Sequence, residues 1–130
     1  MNRRGWSVIE LIIVCVIIAI IVVVVVPAYT QAIEQSRCGK ATQTLSTLRD
    51  AQFDFYAENE SFTPNIADLR NFIGLAVNLN DPNWTFAVVA GNVTTFTLQA
   101  TRLSGSWAGR IITLNQDEVW GGTYPINGPW

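Results

Sequence analysis

The stretch from Val8 to Ala28 decides the fold of this chain, and it reads V-I-E-L-I-I-V-C-V-I-I-A-I-I-V-V-V-V-V-P-A. Its 21 residues carry a single charge, on Glu10. A helix of this length, at about 1.5 Å per residue, just spans the hydrocarbon core of a bilayer. A carboxylate inside such a span costs about 2.5–3.5 kcal/mol, which a simple anchor has no reason to bear. We therefore predict a membrane-spanning helix in which Glu10 has a functional partner.

Two arginines, Arg3 and Arg4, stand shortly before this stretch. Basic residues next to a span are retained on the cytoplasmic side of the membrane. The charge pattern therefore predicts the orientation of a single-pass membrane protein. Its N-terminus is expected in the cytoplasm and its C-terminal part is expected to be exported.

The residues around the start of the span form a specific motif, R-R-G-W-S-V-I-E-L-I-I-V, at positions 3 to 14. This motif resembles the N-terminus of type IV prepilins and of type II secretion pseudopilins. The resemblance implies that a basic leader is cut after Gly5 and that Trp6 becomes the N-methylated first residue. Glu10 then matches the acidic residue at the fifth position of the mature chain. Pro27 and Tyr29 also fall where the family has Pro and Tyr, whereas Trp6 replaces the usual Phe or Met.

The resemblance also implies a function, that of a structural subunit of a type IV pilus or pilus-like fibre. The expected partners are prepilin peptidase, an inner-membrane assembly platform, membrane lipid before assembly, and other subunits of a helical homo- or hetero-polymer. In the fibre, Glu10 of one subunit would neutralise the Trp6 ammonium of a neighbour, an attraction that is strong in an apolar core. The region from Ala19 to Pro27, with its five consecutive valines, is the weak part of the helix, and the resemblance implies that it stretches in the fibre.

Other protein classes fit parts of this pattern. A cleavable secretory signal has an apolar region of about 7–15 residues, which is shorter than this one. An uncleaved signal anchor explains the length of the span but leaves Glu10 unexplained. A type II secretion pseudopilin remains the alternative within the resemblance. Outside it, a membrane-anchored exported binding module or enzyme would keep the Gly5–Trp6 bond intact and would present a pocket of convergent polar groups.

Composition limits the chemistry of the remaining chain. The 130 residues have a net charge of −2 and include no His. The commonest general base and metal ligand is therefore missing, and we expect no enzymatic activity, no metal and no cofactor. Without a surplus of basic residues, we also expect no nucleic-acid partner. Cys15 and Cys38, about 35 Å apart on one helix, are too distant to form a disulfide.

Downstream of Pro27 the apolar residues recur every three or four positions, which predicts an amphipathic continuation of the helix to Tyr56 or Glu58. The predicted buried face is formed by Cys38, Ala41, Leu45, Leu48, Gln52 and Phe55. Glu60 stands where the resemblance implies a helix-ending Gly, so we expect Asn59 to adopt the left-handed conformation instead. A short helix is predicted within residues 66–73.

The last third of the chain is rich in β-branched and aromatic residues and predicts strands. The predicted strands are Trp84–Val89, Thr94–Ala100, Arg110–Leu114 and a short Val119–Trp120. Asp81 is predicted to be a turn residue, with a calcium-binding role as the alternative. The expected fold is α+β, a long helix packed on a small antiparallel sheet. The expected division is a leader at 1–5, a transmembrane and assembly helix at 6–29, and a globular domain at 30–130.

Overall fold

A computed structural model describes residues 7–74 and 77–126. The elements follow in the order of one long helix, a 3-10 helix and four strands. Of the described residues, those up to Gln35 form one compact unit and those from Ser36 onward form a second. Gly5, Trp6 and Trp130 lie outside the described residues.

Helix α1 extends from Val8 to Asn59 and continues through Pro27. Its residues from Val8 to Ala32 are all exposed, and among the described residues it is the one helix that is long and apolar enough to cross a membrane. Pro27 has no amide hydrogen to donate to Val23. Just beyond it, the Thr30 hydroxyl donates to the Val26 carbonyl oxygen at 3.0 Å.

In the second unit, the predicted buried face of α1 is confirmed. Cys38, Ala41, Leu45, Leu48 and Gln52 are each at most 3% exposed, and Phe55 is partly buried against the same core. The sheet contributes the other side of this core with Phe96, Leu98, Ala100, Ile112 and Leu114. The core thus lies between one face of the helix and one face of the sheet, as in the predicted α+β fold.

The end of α1 differs from the prediction. Asn59 remains helical, and its side-chain amide donates to the Phe55 carbonyl oxygen at 3.1 Å. The left-handed residue is Glu60, with φ of 57°, and its amide donates to the Tyr56 carbonyl oxygen at 2.7 Å. The expectation for Asn59 was therefore wrong, because the helix extends one residue further and the glutamate itself adopts the conformation that glycine favours.

The four strands form an antiparallel sheet in sequential order. They are β1 (Trp84–Gly91), β2 (Phe96–Arg102), β3 (Ile111–Asn115) and β4 (Trp120–Gly122). All four predicted strands are present, but β2 begins two residues later than expected. The Asn92 side chain accepts hydrogen bonds from the amides of Thr94 and Thr95, at 2.9 and 2.8 Å, and so holds both residues in the turn. A short 3-10 helix, Ile66–Asn71, lies within the predicted range.

Candidate assembly helix and charged surfaces

The first candidate site is the start of α1, where Ser7 and Glu10 cap the helix reciprocally. The Ser7 amide donates to Glu10 Oε2 at 3.0 Å, and the Glu10 amide donates to Ser7 Oγ at 3.3 Å. This is a capping box, in which two amides without intrahelical partners are satisfied by two side chains. The helix dipole also favours a negative charge in the first turn. Glu10 therefore has a partner within its own chain.

The structure describes two of the four predicted site residues, Glu10 and Pro27. Glu10 is exposed, so its second carboxylate oxygen remains accessible to another molecule. Gly5 and Trp6, the predicted processing residues, lie outside the described residues, and Pro27 lies within α1. The prediction for Glu10 omitted Ser7, although the S-x-x-E spacing at residues 7–10 is a sequence signature of a capping box.

The second unit has two ends of opposite charge, and the first of them is basic. We call this part the basic end, and it comprises residues 36–41, 81–84, 102–110 and 122–126. Contacts between these segments hold it together. The Cys38 thiol donates to the Ile126 carbonyl oxygen at 3.7 Å, and the Trp84 and Trp107 rings lie 5.0 and 5.9 Å from the Tyr124 ring.

Arg102 forms the buried centre of the basic end. Arg102 is only 1% exposed. Its Nη1 donates to the Asn83 carbonyl oxygen at 3.0 Å, and its Cζ lies 5.6 Å from the centre of the Trp84 ring. The alternation of β2 places Phe96, Leu98 and Ala100 toward the core, and Arg102 has the same parity. Sequence reasoning did not identify this residue, because arginine is rarely so deeply buried.

Asp81 is the acidic residue of the basic end. Its Oδ2 lies 3.0 Å from Lys40 Nζ, and its Oδ1 accepts a hydrogen bond from the Asn83 amide at 2.7 Å. Burial alone would raise the pKa of Asp81, but the hydrogen bonds from the Asn83 amide, from Lys40 and from the Trp84 amide together hold it below its usual value. The predicted turn role is confirmed. Within the described residues, no cluster of three His, Cys, Asp or Glu side chains could hold a metal ion.

Arg110 is an exposed cation of the basic end, at the base of the loop between β2 and β3. Its Cζ lies 5.7 Å from the centre of the Trp107 ring, and its Nη1 donates to the Thr123 carbonyl oxygen at 3.2 Å. The loop is closed behind it by the Arg102 amide, which donates to the Arg110 carbonyl oxygen at 2.9 Å. These contacts hold an exposed guanidinium in a defined position.

The opposite end of the second unit is acidic. We call it the acidic end, and it comprises residues 49–62, 91–96 and 115–119. The rings of Phe53, Phe62 and Phe96 meet there at centroid distances of 4.8–5.9 Å. A shallow cavity of about 360 Å³ lies beside them. The acidic end includes six exposed acidic residues, Asp50, Asp54, Glu58, Glu60, Asp117 and Glu118, of which Asp117 lines the cavity.

Charge is therefore separated along the second unit. The basic end has four basic residues and one acidic residue, whereas the acidic end has one basic residue and six acidic residues. Asp68 and Arg70, on the 3-10 helix, offset each other. Net charge alone hides this separation, which arises because the fold brings segments that are distant in sequence to the same end.

The comparisons with known proteins identify the family. A family model described as type IV minor pilin ComP, DNA uptake sequence receptor, matches residues 27–109. A search of the curated proteins found no match. The description names a DNA receptor and so conflicts with our expectation that the chain has no nucleic-acid partner. That expectation was based on the net charge of the whole chain, which does not report how charge is distributed. The description also names a pilus subunit and does not favour the pseudopilin alternative. Since the match covers more than half of the 130 residues, the chain belongs to the type IV minor pilin family and is a structural subunit of a pilus.

Proposed function

We propose that this pilus subunit is cut between Gly5 and Trp6 by prepilin peptidase and is then docked into the fibre through Glu10. One observation supports this most strongly. Glu10 is the single charged residue between Val8 and Ala28, and its side chain is exposed in this otherwise apolar part of the helix. The proposed neighbour is another pilin subunit, whose Trp6 ammonium would meet the Glu10 carboxylate.

Electrostatics make this pairing selective. An unpaired carboxylate in an apolar fibre core is strongly disfavoured, whereas a carboxylate paired with an ammonium is not. The Ser7 amide already occupies Glu10 Oε2, and a carboxylate accepts hydrogen bonds at both oxygens. The capping box can therefore persist while the other oxygen binds the neighbour. In this proposal a subunit in the wrong register leaves both charges unpaired.

Pro27 has a proposed role in the same process. The five valines from Val22 to Val26 lower the helix propensity of this segment, and Pro27 leaves the Val23 carbonyl oxygen without its usual amide donor. In lipid, the backbone is expected to stay helical because no water is present to satisfy it. In the fibre, we expect this segment to extend. A fibre map with unbroken helix from Trp6 to Tyr56 would contradict this part of the proposal.

Before assembly, the proposed location is the inner membrane, with the N-terminus in the cytoplasm, the second unit exported and an assembly platform as partner. Mass spectrometry of the native protein tests the processing step. The expected mature chain begins at Trp6 and carries one added methyl group. Retention of Met1 in cells that contain active prepilin peptidase would overturn the proposal and would favour an uncleaved membrane-anchored binding module. The proposed role includes no enzymatic activity, in keeping with the lack of His.

A second function, DNA binding by this subunit, is proposed because of the family description. The match at residues 27–109 includes most of the second unit, so the part of the chain that resembles a DNA uptake sequence receptor is the folded, charge-separated part. The test is fluorescence anisotropy of a labelled DNA duplex titrated with the full chain in a neutral detergent. Saturable binding that weakens with added salt is expected. The absence of binding at low salt would overturn this second function.

A further inference from the structure

We propose that the basic end of the second unit is the surface that contacts the DNA backbone, with Arg110 and Lys40 as its two outward cations. This inference rests on the proposed DNA binding and adds a location to it. The ligand chemistry is a row of phosphates on a duplex. The argument depends on charge placement, on the exposure of the two cations and on the geometry of the loop that carries Arg110.

Charge placement leaves one favourable surface. Phosphate contacts supply most of the sequence-independent affinity of a protein for DNA, so a DNA surface needs an excess of basic side chains. The basic end has an excess of three positive charges by residue count, or two if Glu34, just before the second unit in the sequence, is included. The acidic end has an excess of five negative charges. Within one Debye length, about 10 Å at 0.1 M salt, those carboxylates would repel phosphates.

Exposure identifies which cations can reach a phosphate. Arg102 is buried and therefore supports the local structure, and Arg37, the fourth basic residue of this end, is half-buried. By contrast, Arg110 is exposed, and the side chain of Lys40 is 62% exposed even though it pairs with Asp81. An ammonium has three donors and a guanidinium has five, so each side chain keeps donors beyond the contacts it makes within the protein. Arg110 and Lys40 are thus the cations best suited to bind phosphate oxygens.

The loop holds the Arg110 side chain in place before DNA binds, so binding costs it little further conformational freedom. Stacking on the Trp107 ring and the bond from Nη1 to the Thr123 carbonyl oxygen already restrict the guanidinium. Prior restriction lowers the entropic cost of binding. The remaining residues of the loop, Leu103 to Ser106, are exposed and include two serine hydroxyls. Such groups are suitable for further contacts to phosphate or base edges.

The test compares two arginines that differ in location. Arg110→Gln removes one cation from the basic end, and Arg70→Gln removes a cation that is also exposed from the 3-10 helix, outside both ends. For Arg110→Gln we expect about a tenfold rise in the Kd for duplex DNA, the effect of losing one charge-assisted hydrogen bond. For Arg70→Gln we expect less than a twofold change. Arg110→Lys, which retains the charge, should recover most of the affinity.

Salt dependence gives an independent readout. Two phosphate contacts predict a slope of about −1.8 in a plot of log affinity against log salt concentration, and the slope should fall to about −0.9 in Arg110→Gln. An unchanged slope, or equal weakening by both arginine variants, would overturn the proposed location. If the unaltered protein binds no DNA, the proposed DNA function itself fails, which is a distinguishable result. Thermal melts of each variant exclude loss of folding as the cause.

Membrane phospholipid is the competing partner for a surface that combines arginine and tryptophan. The full chain in nanodiscs with brominated anionic lipid provides the corresponding measurement. Quenching of the fluorescence of Trp107, assigned by comparison with Trp107→Phe, would show that this end contacts lipid. Our proposal would be overturned if Arg110→Gln abolished this quenching but left the DNA affinity unchanged. The basic end would then be a lipid-facing surface.

Discussion

The side chain of Gln52 pairs with the backbone of Thr63 through two hydrogen bonds. Gln52 Nε2 donates to the Thr63 carbonyl oxygen at 2.8 Å, and the Thr63 amide donates to Gln52 Oε1 at 3.0 Å. Both residues are buried, at 0% and 3% exposure. The Thr63 hydroxyl also donates to Asp68 Oδ2 at 2.6 Å. One helical glutamine thus fixes the segment that leads from α1 to the 3-10 helix.

Replacing Gln52 with Leu should lower the free energy of unfolding by about 2–4 kcal/mol. The replacement conserves approximate volume but leaves the buried amide and carbonyl oxygen of Thr63 without partners, and each such group costs about 1–3 kcal/mol. Urea denaturation of the detergent-solubilised chain measures the effect. Gln43→Leu, at an exposed position of the same helix, is the matched control and should change stability by less than about 0.5 kcal/mol. Equal effects of the two variants would contradict the role of the pair.

Replacing Glu60 with Gly should stabilise the second unit by up to about 1 kcal/mol. Glu60 has φ of 57°, a conformation that costs an L-residue about 1–2 kcal/mol and costs glycine nothing. Part of this gain is lost because glycine is more flexible in the unfolded chain. The control is Glu58→Gly, two residues earlier and within α1, which should destabilise by about 1 kcal/mol. Thermal melts that move in the same direction for both variants would contradict this account.

The helix face and the strands were predictable from the sequence because periodicity reports burial directly. Cys38, Ala41, Leu45 and Leu48 follow the helical period, and the residues of β2 alternate strictly. Arg102 has the inward parity of β2, but its burial depends on the Trp84 ring and the Asn83 carbonyl oxygen, which lie on another segment. The burial of Arg102 was not predicted, because the predicted strand ended at Ala100 and arginine is rarely buried.

The candidate site was predictable in part. Glu10 stands out in any apolar stretch, and the S-x-x-E spacing predicts its contact with Ser7. The separation of charge into a basic and an acidic end was not predictable. It depends on Arg110 and Lys40, 70 positions apart in sequence, lying at the same end of the unit. The antiparallel register pairs Trp84 with Arg102, and the ion pair between Lys40 and Asp81 joins the helix to the same end.

Replacing Asp81 with Asn should destabilise the second unit at pH 7 and have little effect at low pH. The pKa of Asp81 is lowered from its usual value of 3.8. A carboxyl group with a lowered pKa adds stability above its unfolded pKa, and that stability is lost as the pH falls through the folded value. Because Lys40 is largely exposed, the loss at pH 7 should be about 1 kcal/mol.

Urea denaturation at pH 7 and at a pH below the folded pKa measures this dependence. Asp81→Asn should be less stable than the unaltered protein at pH 7, and the difference should shrink as the pH falls below 3.8. Asp54→Asn, at an exposed helical position, provides the control and should change stability at pH 7 by less than about 0.5 kcal/mol. A difference for Asp81→Asn that stays constant with pH would mean that the carboxylate charge does not contribute to stability.

The capping box predicts that Ser7 and Glu10 act together in assembly. Glu10→Ala and Glu10→Gln both remove the charge that is proposed to meet the Trp6 ammonium of a neighbour, so both should greatly reduce fibre yield. Neither should reduce the amount of monomer in the membrane, because removal of a buried charge favours residence in lipid. The second unit should remain folded, since its core, as far as the structure describes the chain, begins at Cys38.

Ser7 variants separate positioning from charge. Ser7→Ala keeps the Glu10 carboxylate but removes the hydroxyl that accepts from the Glu10 amide, and loss of such a cap costs about 1 kcal/mol. The first turn should then fray and hold Glu10 less well, so fibre yield should fall below that of the unaltered protein but stay above that of Glu10→Ala. Ser7→Thr retains a capping hydroxyl and should restore assembly. The measurements are fibre yield and membrane abundance in the same cells. Normal fibres from Ser7→Ala would show that the capping box has no part in docking, and normal fibres from both Glu10 variants would show the same for the carboxylate.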